Sequence, residues 1–228
     1  MKRITIILLS LSIGFTAIAQ TGTSYTIQDF ETWSSITLSY KANKKLKLSL
    51  NEQLRLKDNS GTVDEYFTQL EGSYKLTKGL SFGLGLRFIK ENDNQGKVQG
   101  YENHFRWNTD LEYKHDINRF EVKYRARYQS KKEQDTEDLS NTNFRFKVGT
   151  TYNIKKWKLD PTISSEIFNG ISSNEGFNKI RFTVGTKYET KKIGNFGVFY
   201  RMQKDLIGAY PKTTNIGGFK YEYTIKRK

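Results

Sequence analysis

From Thr32 onward, apolar and polar residues alternate nearly one for one. That is the period of a β-strand with two unlike faces. Leu80, Phe82, Leu84, Leu86 and Phe88 share one face, Ser81, Gly83, Gly85 and Arg87 the other, and Ile89 breaks the pattern. Phe120, Val122, Tyr124, Ala126 and Tyr128 alternate with Arg119, Glu121, Lys123, Arg125 and Arg127. Phe144, Phe146 and Val148 alternate with Arg145, Lys147 and Gly149, and Ile180, Phe182 and Val184 with Lys179, Arg181 and Thr183. Eleven strands are expected, over 32–40, 46–56, 64–76, 80–90, 101–114, 119–128, 142–154, 157–168, 178–189, 196–206 and 216–226.

The connections have a rhythm of their own. Those at 41–45, 77–79, 115–118, 155–156 and 190–195 are short. Those at 57–63, 91–100, 129–140, 169–177 and 207–215 are longer and polar. Short turns at one end and long loops at the other mark an up-and-down antiparallel barrel of the outer-membrane kind. Strand 32–40 then descends toward a short turn, and an ascending strand over about 21–30 is needed before it. Bacterial single-chain barrels have even strand numbers, so twelve strands are expected, with ten as the alternative. Tyr40, Tyr74, Tyr113, Phe120, Tyr152, Trp157, Tyr188 and Phe196 sit on the apolar face beside the short turns. Such a row reads as an aromatic girdle at a membrane interface.

The opposite face carries the charge. Its expected lumen-lining residues are Arg55, Arg87, Glu102, His104, Arg106, Asp110, Arg125, Arg127, Arg145, Arg181 and Arg201, joined by Glu71, Glu112, Lys123, Lys147 and Glu166. A soluble barrel hides its apolar face and wets its charged one, and a membrane barrel inverts this. The girdle, strands near the length that crosses a tilted bilayer path, and an export signal favour inversion. Glu52 conflicts with it, since it shares a face with Leu48, Leu50 and Leu54; a bulge near Asn51 is expected to turn it inward. Pro161 lies mid-strand and lacks a ladder donor, so a bulge or bend is expected there.

The chain of 228 residues begins with the basic Met1-Lys2-Arg3, an apolar stretch from Ile4 to Ala17, and the small-x-small Ala17-Ile18-Ala19. This is the three-part pattern of a secretory signal peptide. It is expected to be cleaved after residue 19, leaving 20–228 as one domain in the outer membrane of a Gram-negative cell. With no cysteine in the chain, a lipid-anchored form, a disulfide scaffold and a thiolate metal site are excluded. Beyond the first twenty positions no apolar run is long enough for a transmembrane helix.

Several short stretches in order carry a resemblance. They are Trp33 with Tyr40, Leu50-Asn51-Glu52-Gln53-Leu54-Arg55, Gly85-Leu86-Arg87-Phe88, His104-Phe105-Arg106, Tyr124-Arg125-Ala126-Arg127-Tyr128-Gln129 and Lys158-Leu159-Asp160-Pro161. Over most of the chain after Thr32, the sequence resembles the small outer-membrane β-barrel proteins catalogued as domain-of-unknown-function family 2490. The resemblance implies an outer-membrane barrel and carries no activity and no catalytic residue.

The remaining chemistry is sparse. His104 points toward the lumen beside Glu102 and Arg106, where it serves a hydrogen-bond network; the sharper alternative is an outer-membrane lipid-modifying hydrolase with His104 as general base. His115 is expected in a solvated turn. Two distant histidines and no cysteine give no metal site, and no cofactor is expected. The lumen arginines have two readings, an anion-favouring pore lining or partners for Glu and Asp that fill the interior, and the largely filled or narrow lumen is preferred. The formal charge of +14 is spread over one strand face with no basic run, so nucleic acid is not an expected partner. Outer-membrane lipid, lipopolysaccharide phosphates and a small anionic solute are the expected partners. The class expected is a non-enzymatic barrel, either a narrow channel or a structural surface protein; a soluble periplasmic lipid-binding barrel is the further alternative.

Overall fold

One-for-one alternation gives each strand two faces, and eleven strands close on themselves in the computed structural model of the chain. Residues 26–227 are described, apart from 95–98, 135, 137–139, 173–175 and 191–192. The strands are β1 (Ile27–Lys41), β2 (Leu46–Lys57), β3 (Thr62–Lys75), β4 (Leu80–Asp93), β5 (Gly100–Ile117), β6 (Phe120–Glu133), β7 (Asn141–Tyr152), β8 (Leu159–Gly170), β9 (Gly176–Glu189), β10 (Asn195–Asp205) and β11 (Lys212–Lys226). Each pairs antiparallel with its sequence neighbours, and β1 closes the barrel by pairing parallel with β11.

The eleven strands among the described residues come close to the expected twelve, one fewer. No separate strand occupies 27–30; those residues begin β1, which runs unbroken to Lys41. The expected signal peptide and the rest of segment 21–30, up to residue 25, lie outside the described residues. With an odd count, the first and last strands of a meander point the same way, so only a parallel ladder can close it. Fifteen residue pairs do so, from Ile27 opposite Lys212 to Lys41 opposite Lys226.

The loop rhythm is also weaker than expected. The connection at 57–63 contracts to four residues, Asp58–Gly61, because Asp58, Asn59 and Ser60 all take left-handed backbone. Asn and Asp tolerate that conformation better than other side chains. The Asp29 carboxylate holds the turn by accepting hydrogen bonds from the Asp58 and Asn59 backbone N–H groups at 3.4 and 3.0 Å.

Register sets the shape of the barrel. Stepping across the ladders from Trp33 in one direction meets Arg55, Glu65, Glu91 and Glu102 of β5. Stepping the other way meets Gly218, Phe199, Gly185, Thr162, Thr151, Glu121 and Asp116, also of β5. The two arrivals differ by fourteen residues along β5. That stagger over eleven strands implies a tilt of about 40° and a backbone radius of about 11 Å, for strands ~4.8 Å apart rising ~3.3 Å per residue.

The faces are inverted relative to a soluble barrel. Outward residues include Leu84 (47% exposed), Phe88 (50%), Val148 (49%) and Val198 (47%), whereas inward Arg87 is 8% exposed and Glu166 4%. Outward rings pair at several heights. Phe120 packs on Tyr152 at 4.8 Å and Phe196 on Tyr221 at 5.0 Å near the short turns. Tyr66 packs on Tyr101 at 5.9 Å toward the long loops, whereas Trp107 packs on Tyr128 at 5.4 Å mid-strand, beside Arg106 and Arg127. His115 is not in a turn: β5 extends through it, and its ring stacks on Tyr113 and Tyr124 at 5.6 and 5.9 Å.

Two local expectations are corrected. Glu52 stays on the outer face, because the register of β2 runs without a break through Asn51 and shifts only between Arg55 and Leu56. Its carboxylate is met there by the Thr68 hydroxyl, which donates at 2.9 Å. Pro161 causes no bulge. The β7–β8 ladder ends at Thr162, one residue short of it, and the irregularity of β8 falls instead between Phe168 and Asn169.

Candidate functional site

Once the stagger is included, the inward residues near mid-height form a belt. Arg87, Arg106, Arg127, Arg145, Arg181 and Arg201 come to nearly one level from six different strands. Trp33, Phe67, Phe168 and Ile216 face inward at the same level and are buried. A guanidinium is flat and weakly hydrated, so it stacks readily on rings. The Arg55 guanidinium carbon lies 3.7 Å from the Trp33 ring centre and that of Arg87 3.4 Å from Phe67. Arg201 and Arg181 reach Trp33 at 4.8 and 5.6 Å, and Arg145 lies 4.3 Å from Phe168.

Buried charges need partners, and the belt supplies several. Glu166 receives Arg125 at 2.6 Å, Arg145 at 2.8 Å and Arg181 at 3.3 Å. Asp110 takes two parallel bonds from Arg127, both 2.6 Å. Arg55 pairs with Glu65 at 2.5 Å. Amides extend the network. Gln69 accepts from Arg87 at 2.8 Å and passes its own N–H to Glu71, also at 2.8 Å. Gln129 accepts from Arg145 at 2.9 Å and Gln203 from Arg181 at 3.1 Å. Acceptors remain in short supply: Arg55 Nε, Arg87 Nη1, Arg106 Nε and Arg125 Nε are buried without a hydrogen-bond partner among the described residues.

The lumen retains space around the belt. A cavity of about 730 Å³ runs between layers of charged side chains, from Lys131 and Lys179 on the long-loop side to Lys47 and Lys123 on the short-turn side. A second cavity of about 320 Å³ lies in the short-turn half, where Gly149, Ser164, Thr183, Gly185 and Gly197 leave room along the wall.

The outer mouth holds His104. Its Nε2 is 3.3 Å from Glu102 and 3.6 Å from Glu91, whose carboxylate also pairs with Lys131. The groups facing this imidazole are carboxylates, with no serine or threonine hydroxyl bonded to it among the described residues. No group of three or more His, Asp or Glu among the described residues is arranged to hold a metal ion.

The structure thus brings nine of the expected lumen residues, all the arginines and Asp110, to one cavity, and sets Glu102 and His104 apart at the mouth. Sequence reasoning missed the inward aromatics and amides. Trp33, Phe67, Phe168 and Phe199 share the parity of Glu31, Glu65, Glu166 and Arg201. That parity was the available signal, overshadowed by the larger number of rings on the other face.

A closed meander with apolar residues outside and an arginine-belted interior defines the class: an inside-out β-barrel. The chain belongs to the family described as Protein of unknown function (DUF2490), which its residues 30–208 match. The match spans β1 to the connection before β11. No curated protein matches the chain.

Proposed function

We propose that this protein is an outer-membrane β-barrel without catalytic activity, a narrow anion-favouring channel or structural barrel whose lumen the arginine belt constricts. One observation carries the reading. The outward face is a continuous apolar band (Ile36, Leu38, Leu50, Leu70, Leu84, Phe146, Val184 and many more), and the interior holds the charge. Monomers in water rarely expose contiguous apolar patches beyond a few hundred Å², whereas hydrocarbon is the natural solvent for such a band. The ring pairs Phe120–Tyr152 and Phe196–Tyr221 near the short turns suit a headgroup level. A soluble lipid-binding barrel requires an apolar interior, which this lumen does not supply. A hydrolase built on His104 requires a nucleophile beside an imidazole that here faces Glu91 and Glu102.

The test is fractionation followed by planar-bilayer recording of the purified full chain. The protein is expected to stay with membranes through an alkaline wash, to run faster on gels unboiled than boiled, and to give small anion-preferring current steps or none. Release by osmotic shock without detergent overturns the membrane reading, and large, unselective steps overturn the constricted lumen.

A further inference from the structure

We propose that the short-turn half of the lumen is a binding site for a small phosphate-class anion, held by Lys147, Lys220, Arg125 and Arg201. The inference rests on the reading of the lumen as a wetted interior. Moving two residues from the belt toward the short turns replaces Arg145 by Lys147, Glu166 by Ser164, Arg181 by Thr183 and Arg201 by Phe199. The belt therefore roofs a chamber whose next layer mixes cations, hydroxyls and one ring. This chamber is the cavity of about 320 Å³. A water's share of liquid volume is about 30 Å³, so a group several times larger fits.

The charge balance in this chamber favours an anion. Six cations line it, Lys123, Arg125, Lys147, Lys187, Arg201 and Lys220, against three carboxylates, Glu112, Glu121 and Glu222. Those carboxylates are already engaged, Glu112 by a cation of the chamber itself, and Lys187 is taken by Glu189 at 2.6 Å. Lys123 holds Glu112 at 2.8 Å, Lys114 holds Glu121 at 2.8 Å, and Glu222 accepts from Ser39 at 3.2 Å with Lys47 at 3.8 Å. Glu166, on the belt above, is already shared by three arginines.

Lys147 and Lys220 make no ion pair among the described residues; the ammonium of Lys220 lies over the Phe199 ring at 4.6 Å. Among the described residues Arg201 donates one hydrogen bond, from Nε to Thr183 at 3.0 Å, while stacking on Trp33 and Phe199, and Arg125 keeps a buried, unpartnered Nε. Point-charge lysines, forked arginines and hydroxyls together suit the several oxygens of a phosphate. Low dielectric walls strengthen each contact and focus the field at the chamber.

The experiment titrates the detergent-purified full chain with inorganic pyrophosphate by calorimetry at low salt, with flotation on liposomes run on the same preparation. One equivalent is expected to bind saturably. The Lys147→Met/Lys220→Met double variant should bind at least tenfold more weakly, while Lys204→Met, on the outer face, should match the parent. Each single change, Lys147→Gln or Lys220→Gln, should weaken binding several-fold; these carry the test if the double variant loses its heat-modifiable gel mobility. Absence of saturable binding by the parent, or equal affinity in the folded lysine variants, overturns the site. A chain that floats but does not bind refutes the site alone. One that binds but does not float refutes the membrane reading alone.

Discussion

Glu166 shows what a single carboxylate does in this lumen. It is 4% exposed and is shared by Arg125, Arg145 and Arg181. Removing one partner of a buried pair costs about 3–5 kcal/mol, because the survivors are left without compensation. Glu166→Gln should therefore lower the urea midpoint of unfolding in detergent sharply, and adding Arg145→Met should recover part of the loss. Equal midpoints for Glu166→Gln and the parent would sink the idea that this carboxylate anchors the belt. The contrast is Lys114 with Glu121 at 2.8 Å, where both side chains are about half exposed; such a pair contributes little. Strand parity identified the charged face and every arginine on it. It left the pairing open, because Glu166 takes Arg125 and Arg145 from two other strands, at separations of 41 and 21 residues.

At the level of elements, the seam between β1 and β11 is the feature that local pattern could not foretell. Its outer end is fastened by Asp29, which binds Lys212 of β11 at 2.9 Å and the turn after β2 through two backbone N–H groups. Its inner end is fastened by Glu222 of β11, which accepts from Ser39 of β1 at 3.2 Å. Between them Gly218 faces Trp33 across the ladder, and a β-carbon there would lie 2.1 Å from the Phe199 ring. Asp29→Ala should unfasten the outer end at a cost of about 0.5–1.5 kcal/mol per bond lost, the net range for hydrogen bonds whose donors water can reach. Hydrogen exchange should then quicken in the first residues of β1 and β11 and stay unchanged in β5 and β6. Uniform protection across the barrel would show that backbone pairing alone holds the seam. Alternation has no direction, so it cannot tell a separate strand over 21–30 from the start of β1; of that segment, 27–30 belongs to β1. Its parity continues unbroken into β1, and only the absence of a reversal distinguishes one long strand from two.

For the whole molecule, the channel reading proposed above makes the belt the level that controls passage. Trp33 brings together Arg55, Arg181 and Arg201, at 3.7, 5.6 and 4.8 Å from its ring, and its indole N–H is tied to Glu31 at 2.8 Å. Trp33→Ala removes the platform on which these three arginines converge. Planar-bilayer recordings should show a larger unit conductance than the parent, still anion-preferring because the arginines remain. An unchanged or silent trace from folded protein would place the constriction elsewhere in the lumen.

The sequence alone determined the strands, their two faces, and the sorting of arginines to one face and rings mainly to the other. These are local properties, because side-chain direction repeats every two residues whatever the strand's neighbours. The tertiary structure decided three further things: the odd strand count with its parallel seam, the outward stance of Glu52, and the common height of Arg87, Arg106, Arg127, Arg145, Arg181 and Arg201. Height in a tilted barrel is the sum of register over all eleven strands. Two arginines far apart in the chain meet at one level only when that sum closes, and no window of sequence contains it.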